Sequence, residues 1–237
     1  MVKYLIVNAD DFGYAEGVNR GVIAAHLHGI VRSASLMVDA PLAAEAAALA
    51  RQYPQLGVGL HFTVTNQDGP LVDLFDIAII ERELQRQYQL CCDLLGRSPT
   101  HIDSHHHVHL RKELTPLFAA WSARRGVPVR SLGRVRYNGG FYGHWYDEAW
   151  RPQPAPELIS VDNLENILRE LPDGVTELAC HPAYLSPDLH SSYAAEREIE
   201  LATLCHPRIL AVMHELKITL VNYATVPGEA VVGDAAA

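Results

Sequence analysis

KYLIVNADDFGYAEGVNRGVIAAHLHG, residues 3–29, is the stretch that decides the fold. Its first eight residues, KYLIVNAD, form an apolar run of strand length that stops at two acids. Residues 15–29 then change to a helical pattern, closed by Gly29 just past the last turn. A buried strand running straight into a helix is the opening half of a βα unit, so the question is whether the unit recurs.

It recurs along the whole chain. SASLMV (33–38), LGVGLHFTV (56–64), THIDS (100–104), VPVRSL (127–132), VTELACHP (175–182) and ITLVNYA (218–224) read as strands. Between them, PLAAEAAALARQYP (41–54), IAIIERELQRQYQLCCDLLG (77–96), RKELTPLFAAWSARRG (111–126), VDNLENILRELP (161–172), SYAAEREIELATLC (192–205) and PRILAVMHELK (207–217) read as helices. The third of these seven helices, counting the one that follows the first strand, sets Ile80, Leu84, Tyr88, Cys91 and Leu95 along one face. Such alternation predicts a parallel sheet covered by helices. Seven strands in 237 residues favour an irregular (β/α) barrel of the TIM type, an α/β fold in one domain spanning 1–237. No Gly-rich phosphate fingerprint follows any strand, which weighs against an open dinucleotide-binding sheet. The weakly patterned end, from about 227, predicts a loose tail.

Composition narrows the partners. At 49% hydrophobic and 20% charged residues the chain can build an ordinary core. A net charge of −9 without a basic cluster excludes nucleic acid and anionic membrane as partners. The N-terminus lacks the apolar stretch and cleavage site of a secretory leader, and no run approaches the roughly 18 apolar residues of a membrane span. Cys91 and Cys92 are neighbours in a helix, and Cys180 and Cys205 lie in separate segments, so no disulfide framework is expected. These features predict a cytoplasmic protein, with a homodimer as the commonest assembly.

In a parallel α/β barrel the C-terminal strand ends carry the chemistry. Here they carry Asp10 and Asp11 in NADDFG, His61 in GLHFT, Asp103 and His105 in HIDSHHHVH, and His181 in CHPAY. A single histidine at a strand end is more often a hydrogen-bonded structural residue than a ligand. The convergence of four such ends on one rim is the signal. The tract 101–109 holds five of the chain's 13 histidines, but strand period divides it. His101, Asp103 and His105 share a face, while Ser104 and His106 point away. One imidazole and one acid from it can reach an ion, with His107 and His109 in the following loop as outer or substrate contacts. One aspartate with two histidines and open positions suits Zn²⁺ and tolerates other divalent ions. Consecutive strand residues point oppositely, so Asp10 and Asp11 both reach the ion only if the chain bends before Phe12–Gly13. One would then bind metal and the other take a proton from water. His26 and His28, on the first helix, read as surface.

With VNADDFG (7–13), GLHFTVT (59–65), THIDSHHHVH (100–109) and ELACHPAY (177–184) in this order, the chain resembles the YdjC-like carbohydrate deacetylase family, which includes chito-oligosaccharide deacetylase. The resemblance covers nearly the full chain. It implies a distorted (β/α) barrel that hydrolyses the N-acetyl group of an acetylated amino sugar or chito-oligosaccharide-like substrate, a small carbohydrate. It implies one divalent ion, Zn²⁺ or else Mg²⁺, on Asp11, His61 and His105. Asp10 is then the general base, and His181 the histidine that assists the departing amine.

RYNGGFYGHWYDEAW (136–150) concentrates Tyr137, Phe141, Tyr142, Trp145, Tyr146 and Trp150. These rings suit sugar stacking, and equally a subunit contact or a packed loop. Two other functions compete with deacetylation. A phosphoesterase-like metallohydrolase would need cations at the rim, for which Arg111, Lys112 and Arg130 are the candidates. A non-catalytic sugar-binding or metal-storage barrel would need neither Asp10 nor His181.

Overall fold

The computed structural model describes residues 2–148 and 151–227. Trp150 and the tail beyond 227 lie outside the described residues. Among the described residues seven parallel strands build the main sheet: β1 (Lys3–Phe12), β2 (Ser33–Leu36), β3 (Gly57–Phe62), β4 (Ile102–Ser104), β5 (Arg136–Asn138), β6 (Gly174–Cys180) and β7 (Ile218–Val221). Their order is β4-β3-β2-β1-β6-β5, with β7 beside the first half of β1 (Lys3–Ile6), opposite β6. Among the described residues seven α-helices cover it: α1 (Glu16–His28), α2 (Ala43–Gln52), α3 (Ile77–Leu95), α4 (Thr115–Arg125), α5 (Val161–Glu170), α6 (Ala194–Leu204) and α7 (Pro207–Glu215). The α3 face expected from its periodicity is buried throughout. Gly96 ends that helix at φ 70°, a left-handed position that glycine adopts without penalty.

The fifth expected strand is corrected. Residues 127–132 contribute only a single bridge, Val129 to Ile102, and the strand forms later, at Arg136–Asn138. Ser131 at φ 60° breaks the extended run and turns the chain away after Arg130. This segment therefore touches both ends of the sheet, beside β4 at Val129 and beside β6 at Arg136–Asn138. The sheet is curled, an incomplete barrel whose two ends are spanned by one short piece of chain.

Strand alternation sorts the interior. On β1, Leu5, Val7 and Ala9 join the large apolar core, while Ile6, Asn8 and Asp10 take the opposite face. Ile6, Val175 and Val221 form a small apolar plug at the strand N-terminal end. Above it the enclosed residues are polar and buried: Asn8, Asp10, Ser33, Ser35, His61, His101, Asp103, Arg130 and Glu177. Gly59 makes room for one of them, since a Cβ there would lie 2.4 Å from the His101 ring. Polar residues on the inner face of every central strand put the chemistry at the open C-terminal end.

Candidate active site

The expected bend at the two aspartates is present, and it falls on Asp11 itself. Asp11 has φ 67°, and the pairing of β1 with β2 shifts register between Ala9 and Phe12. Aspartate tolerates this left-handed conformation better than most side chains. The irregularity turns Asp11 toward the cavity that Asp10 already faces.

Asp11 Oδ1 lies 3.2 Å from His61 Nε2 and 3.2 Å from His105 Nδ1. His61 Nδ1 donates to Asp103 Oδ1 at 2.7 Å, which turns Nε2 toward the Asp11 oxygen. Asp11 Oδ1 and His61 Nε2 are buried, and no hydrogen bond of proper geometry reaches either. At this distance the two atoms require positive charge between them, a proton on the ring or a metal ion. Burial lowers the basicity of His61, but Asp103, then Asp11 and Asp10, outweigh it and lift its pKa to about 10. The pocket thus demands positive charge, and Asp11, His61 and His105 are the right donors for a divalent ion, their ligand atoms lying within 4.8 Å of one another. A carboxylate behind a histidine, as Asp103 stands behind His61, fixes the tautomer that a metal site would need.

Asp10, His61 and Asp103 also converge, but a cation of the protein already fills that space. Arg130, 0% exposed, spans Asp10 with Nη1 to Oδ2 at 2.8 Å and Nη2 to Oδ1 at 2.7 Å. Its Nη2 is also 2.8 Å from Asp103 Oδ2, and its Nε donates to Glu177 Oε1 at 2.9 Å. Burial pushes the Asp10 carboxyl up, yet Arg130 outweighs it and holds the group below the usual carboxylate range. Asn8 Nδ2 adds a bond to Oδ1 at 2.8 Å. Among the described residues Oδ2 takes only Arg130 Nη1, and it faces His181, whose Nε2 is 4.0 Å away. Asp11 is depressed further, its burial overcome first by Arg197, whose Nη2 lies 2.5 Å from Oδ2.

His181 follows β6. Its backbone N–H donates to Glu200 Oε2 at 2.5 Å, and its Nδ1 is 3.7 Å from Oε1 of the same carboxylate. Burial lowers the His181 pKa, but Glu200 more than compensates and raises it, favouring the protonated ring. The loop carrying it packs directly on α1. A Cβ at Gly21 would lie 2.5 Å from Ala183 Cα, and one at Gly17 would lie 1.9 Å from the Tyr184 carbonyl. Two glycines one turn apart thereby set the height of His181 over the site.

The structure brings Asp10, Asp11, His61, His105 and His181 together as the sequence leads one to expect. It corrects the remainder of the tract. Asp103 stands behind His61 rather than beside His105. His109 is fully buried instead of lying in a loop, because a 3₁₀ segment over His105–Leu110, with His106 and His107 left-handed, folds it back under the rim. Its Nε2 meets the Arg130 carbonyl at 3.2 Å and its Nδ1 meets Ser104 Oγ at 2.6 Å. His107 is an outer contact, 3.3 Å from the Tyr137 hydroxyl. His26, read as surface, is half-buried and bonded to the Val31 carbonyl at 3.0 Å. Arg130 is enclosed by carboxylates and unavailable to a phosphate. Arg197, Glu200 and Glu177 were not anticipated. Arg197 and Glu200 lie on the same buried side of α6 as Leu201 and Leu204, and a charge on an apolar stripe is the signal that could have marked them.

A curled parallel α/β sheet with an acid–histidine cluster at the C-terminal strand ends defines the class. The sequence profile described as YdjC-like protein matches residues 4–215, and the chain belongs to this family. It is 35% identical to a carbohydrate deacetylase of Geobacillus stearothermophilus over 94% of this chain and 98% of that protein. It is 37% identical to a chitooligosaccharide deacetylase of Serratia marcescens over 91% and 96% of the two chains. Among solved structures, a protein of Enterococcus faecalis V583 named provisionally for cellobiose-phosphate cleavage superposes with a TM-score of 0.77 at 28% identity, covering 95% of this chain and 99% of that one. A family 4 carbohydrate esterase from Streptomyces lividans, in complex with acetate, shares the fold at TM-score 0.56 and 16% identity, covering 94% and 95%. Among the described residues no helix is long and apolar enough to cross a membrane.

Proposed function

We propose that this chain is a metal-dependent carbohydrate N-deacetylase, hydrolysing the acetamido group of an acetylated amino sugar or chito-oligosaccharide-like substrate. The observation that carries the reading is the cluster Asp11 Oδ1, His61 Nε2 and His105 Nδ1, flanked by Asp10 and His181 on one rim. The names of the Geobacillus and Serratia relatives point to the same chemistry.

Asp11, His61 and His105 would hold one divalent ion, Zn²⁺ ahead of Mg²⁺ for a set with two imidazoles. Such an ion, when bound, supplies Lewis acidity, polarising the acetyl carbonyl and making water more acidic. The protein's own groups do the rest. Asp10 accepts a proton from the attacking water at Oδ2, the oxygen left with spare acceptor capacity on the His181 side. Arg130 and Asn8 keep that carboxylate from rotating. His181, protonated with Glu200 behind it, gives a proton to the nitrogen as the C–N bond breaks, so that an amine departs rather than an amide anion. Acetate and the free amino sugar are the products. The same reading has the enzyme working in the cytoplasm on small sugars.

The test is acetate release from N-acetylated sugars, free and oligomeric, by protein stripped with chelator and then given Zn²⁺ or Mg²⁺. Ion-dependent acetate release is expected. Hydrolysis of phosphate esters without any acetate release overturns the proposal.

A further inference from the structure

Within residues 141–144 the side chains alternate in an instructive way. Phe141, Gly143 and His144 are buried, and Tyr142 between them is only half-buried. The loop is pinned on both sides of it. Gly143 N–H donates to the Tyr193 hydroxyl at 2.5 Å, and His144 Nε2 is 3.1 Å from Glu196 Oε1. Gly143 also has no room for a side chain, since a Cβ there would lie 2.8 Å from Ile159 Cδ1. A tyrosine that merely filled a packed loop would be covered like its neighbours.

One face of the Tyr142 ring lies on Tyr193, with centroids 4.6 Å apart and planes 11° from parallel. Tyr193 is itself buried, and its hydroxyl donates to Glu200 Oε1 at 2.6 Å. Glu200 in turn holds His181, so the ring stack and the proposed proton donor rest on one carboxylate. The Tyr142 and His181 ring centroids are 5.4 Å apart.

We infer that Tyr142, backed by Tyr193, is the platform on which the amino-sugar ring stacks, and so a specificity-determining residue. The inference rests on the deacetylase reading, because that reading fixes where the sugar must be. A proton passed from His181 requires the amide nitrogen within about 3 Å of the imidazole. That nitrogen is bonded directly to the sugar ring. With the Tyr142 and His181 rings 5.4 Å apart, a sugar ring on that nitrogen can reach the part of Tyr142 that Tyr193 leaves uncovered. A pyranose is apolar across its C–H face, which matches the aromatic ring, while the Tyr142 hydroxyl is bonded to Tyr146. Ordering costs little, because the platform is rigid before the sugar arrives.

The experiment is calorimetric titration of N,N′-diacetylchitobiose into the ion-loaded wild type, Tyr142→Ala and Tyr142→Phe, with acetate release measured on the same samples. Tyr142→Ala is expected to weaken sugar binding about tenfold, the scale of one lost ring contact. Tyr142→Phe keeps the ring and is expected to stay close to wild type. Wild-type affinity in Tyr142→Ala overturns the platform, whether or not acetate is released. An equal loss in Tyr142→Phe also overturns it, because the hydroxyl and not the ring face would then hold the sugar. If the expected binding pattern appears but no sugar is deacetylated, the platform stands and the catalytic reading falls.

Discussion

On one side of the end of β1, Arg130 fills the space between Asp10, Asp103 and Glu177, and each of its three nitrogens meets a carboxylate oxygen. On the other side, Arg197 takes a single oxygen of Asp11, and among the described residues its Nε and Nη1 have no hydrogen-bond partner. The second oxygen of Asp11 faces two imidazoles across a gap. Two neighbouring aspartates therefore sit in opposite situations. The surroundings of Asp10 are finished by one arginine, whereas Asp11 shares its charge between an arginine and two imidazoles, the set proposed to hold an ion. On the proposed reading, the difference separates a carboxylate held ready for proton transfer from one that would share a cation.

The largest expected effect breaks the Asp10 side chemically. Asp10→Asn keeps the shape and removes the proton acceptor, so kcat/KM should fall about a thousandfold while bound ion, measured by elemental analysis, stays at the wild-type level. Undiminished turnover would take Asp10 out of the base role. Next comes the structural contrast between the arginines. Arg130→Met strands three buried carboxylates and should cost about 3–5 kcal/mol in urea unfolding, with no recovery on adding Zn²⁺. Arg197→Met should cost less, and saturating Zn²⁺ should narrow the loss because the ion takes over the neutralisation of Asp11. Equal responses to the ion in the two variants would erase the distinction between the two sides.

His105→Ala tests the gap itself. Zn²⁺ at a hundredfold excess over its dissociation constant should stabilise the wild type by about 2.7 kcal/mol, and this gain should vanish in the variant. The smallest effect concerns a histidine that belongs to neither side. Burial, the dominant influence, lowers the His109 pKa to about 4, below the roughly 6.5 of an unfolded chain. Between those values the unfolded chain takes up a proton and the folded one does not. Its contribution to stability is therefore complete above pH 6.5 and shrinks as the pH falls toward 4. Relative to His109→Gln, the wild type should lose on the order of 1–2 kcal/mol between pH 7 and 5, read from urea midpoints.

The βα order and the five rim residues were legible because strand ends are marked by where an apolar run stops, and the runs here stop at acids and histidines. Asp11 could be placed by a bend argument, since two consecutive strand residues cannot otherwise face one cavity. Arg130 was harder. VPVRSL has strand composition, and only the left-handed Ser131 shows why the chain leaves the sheet just after inserting a guanidinium. His109 misled because strand alternation ceases at Ser104, where a 3₁₀ turn takes over and reverses which residues are enclosed. Arg197 and Glu200 act from a helix about 190 residues beyond β1, and their partners become visible only when α6 docks on the rim.

The passage from Val129 to Asn138 has a consequence for solubility as well as shape. An open parallel sheet ends in two rows of unsatisfied amide groups, each a template for another chain. Here the row on β4 meets that stretch at one bridge, Val129, and the same stretch goes on to supply β5, the strand at the other margin. Lengthening that stretch would leave a seam along the molecule, and self-association through exposed strand margins would follow.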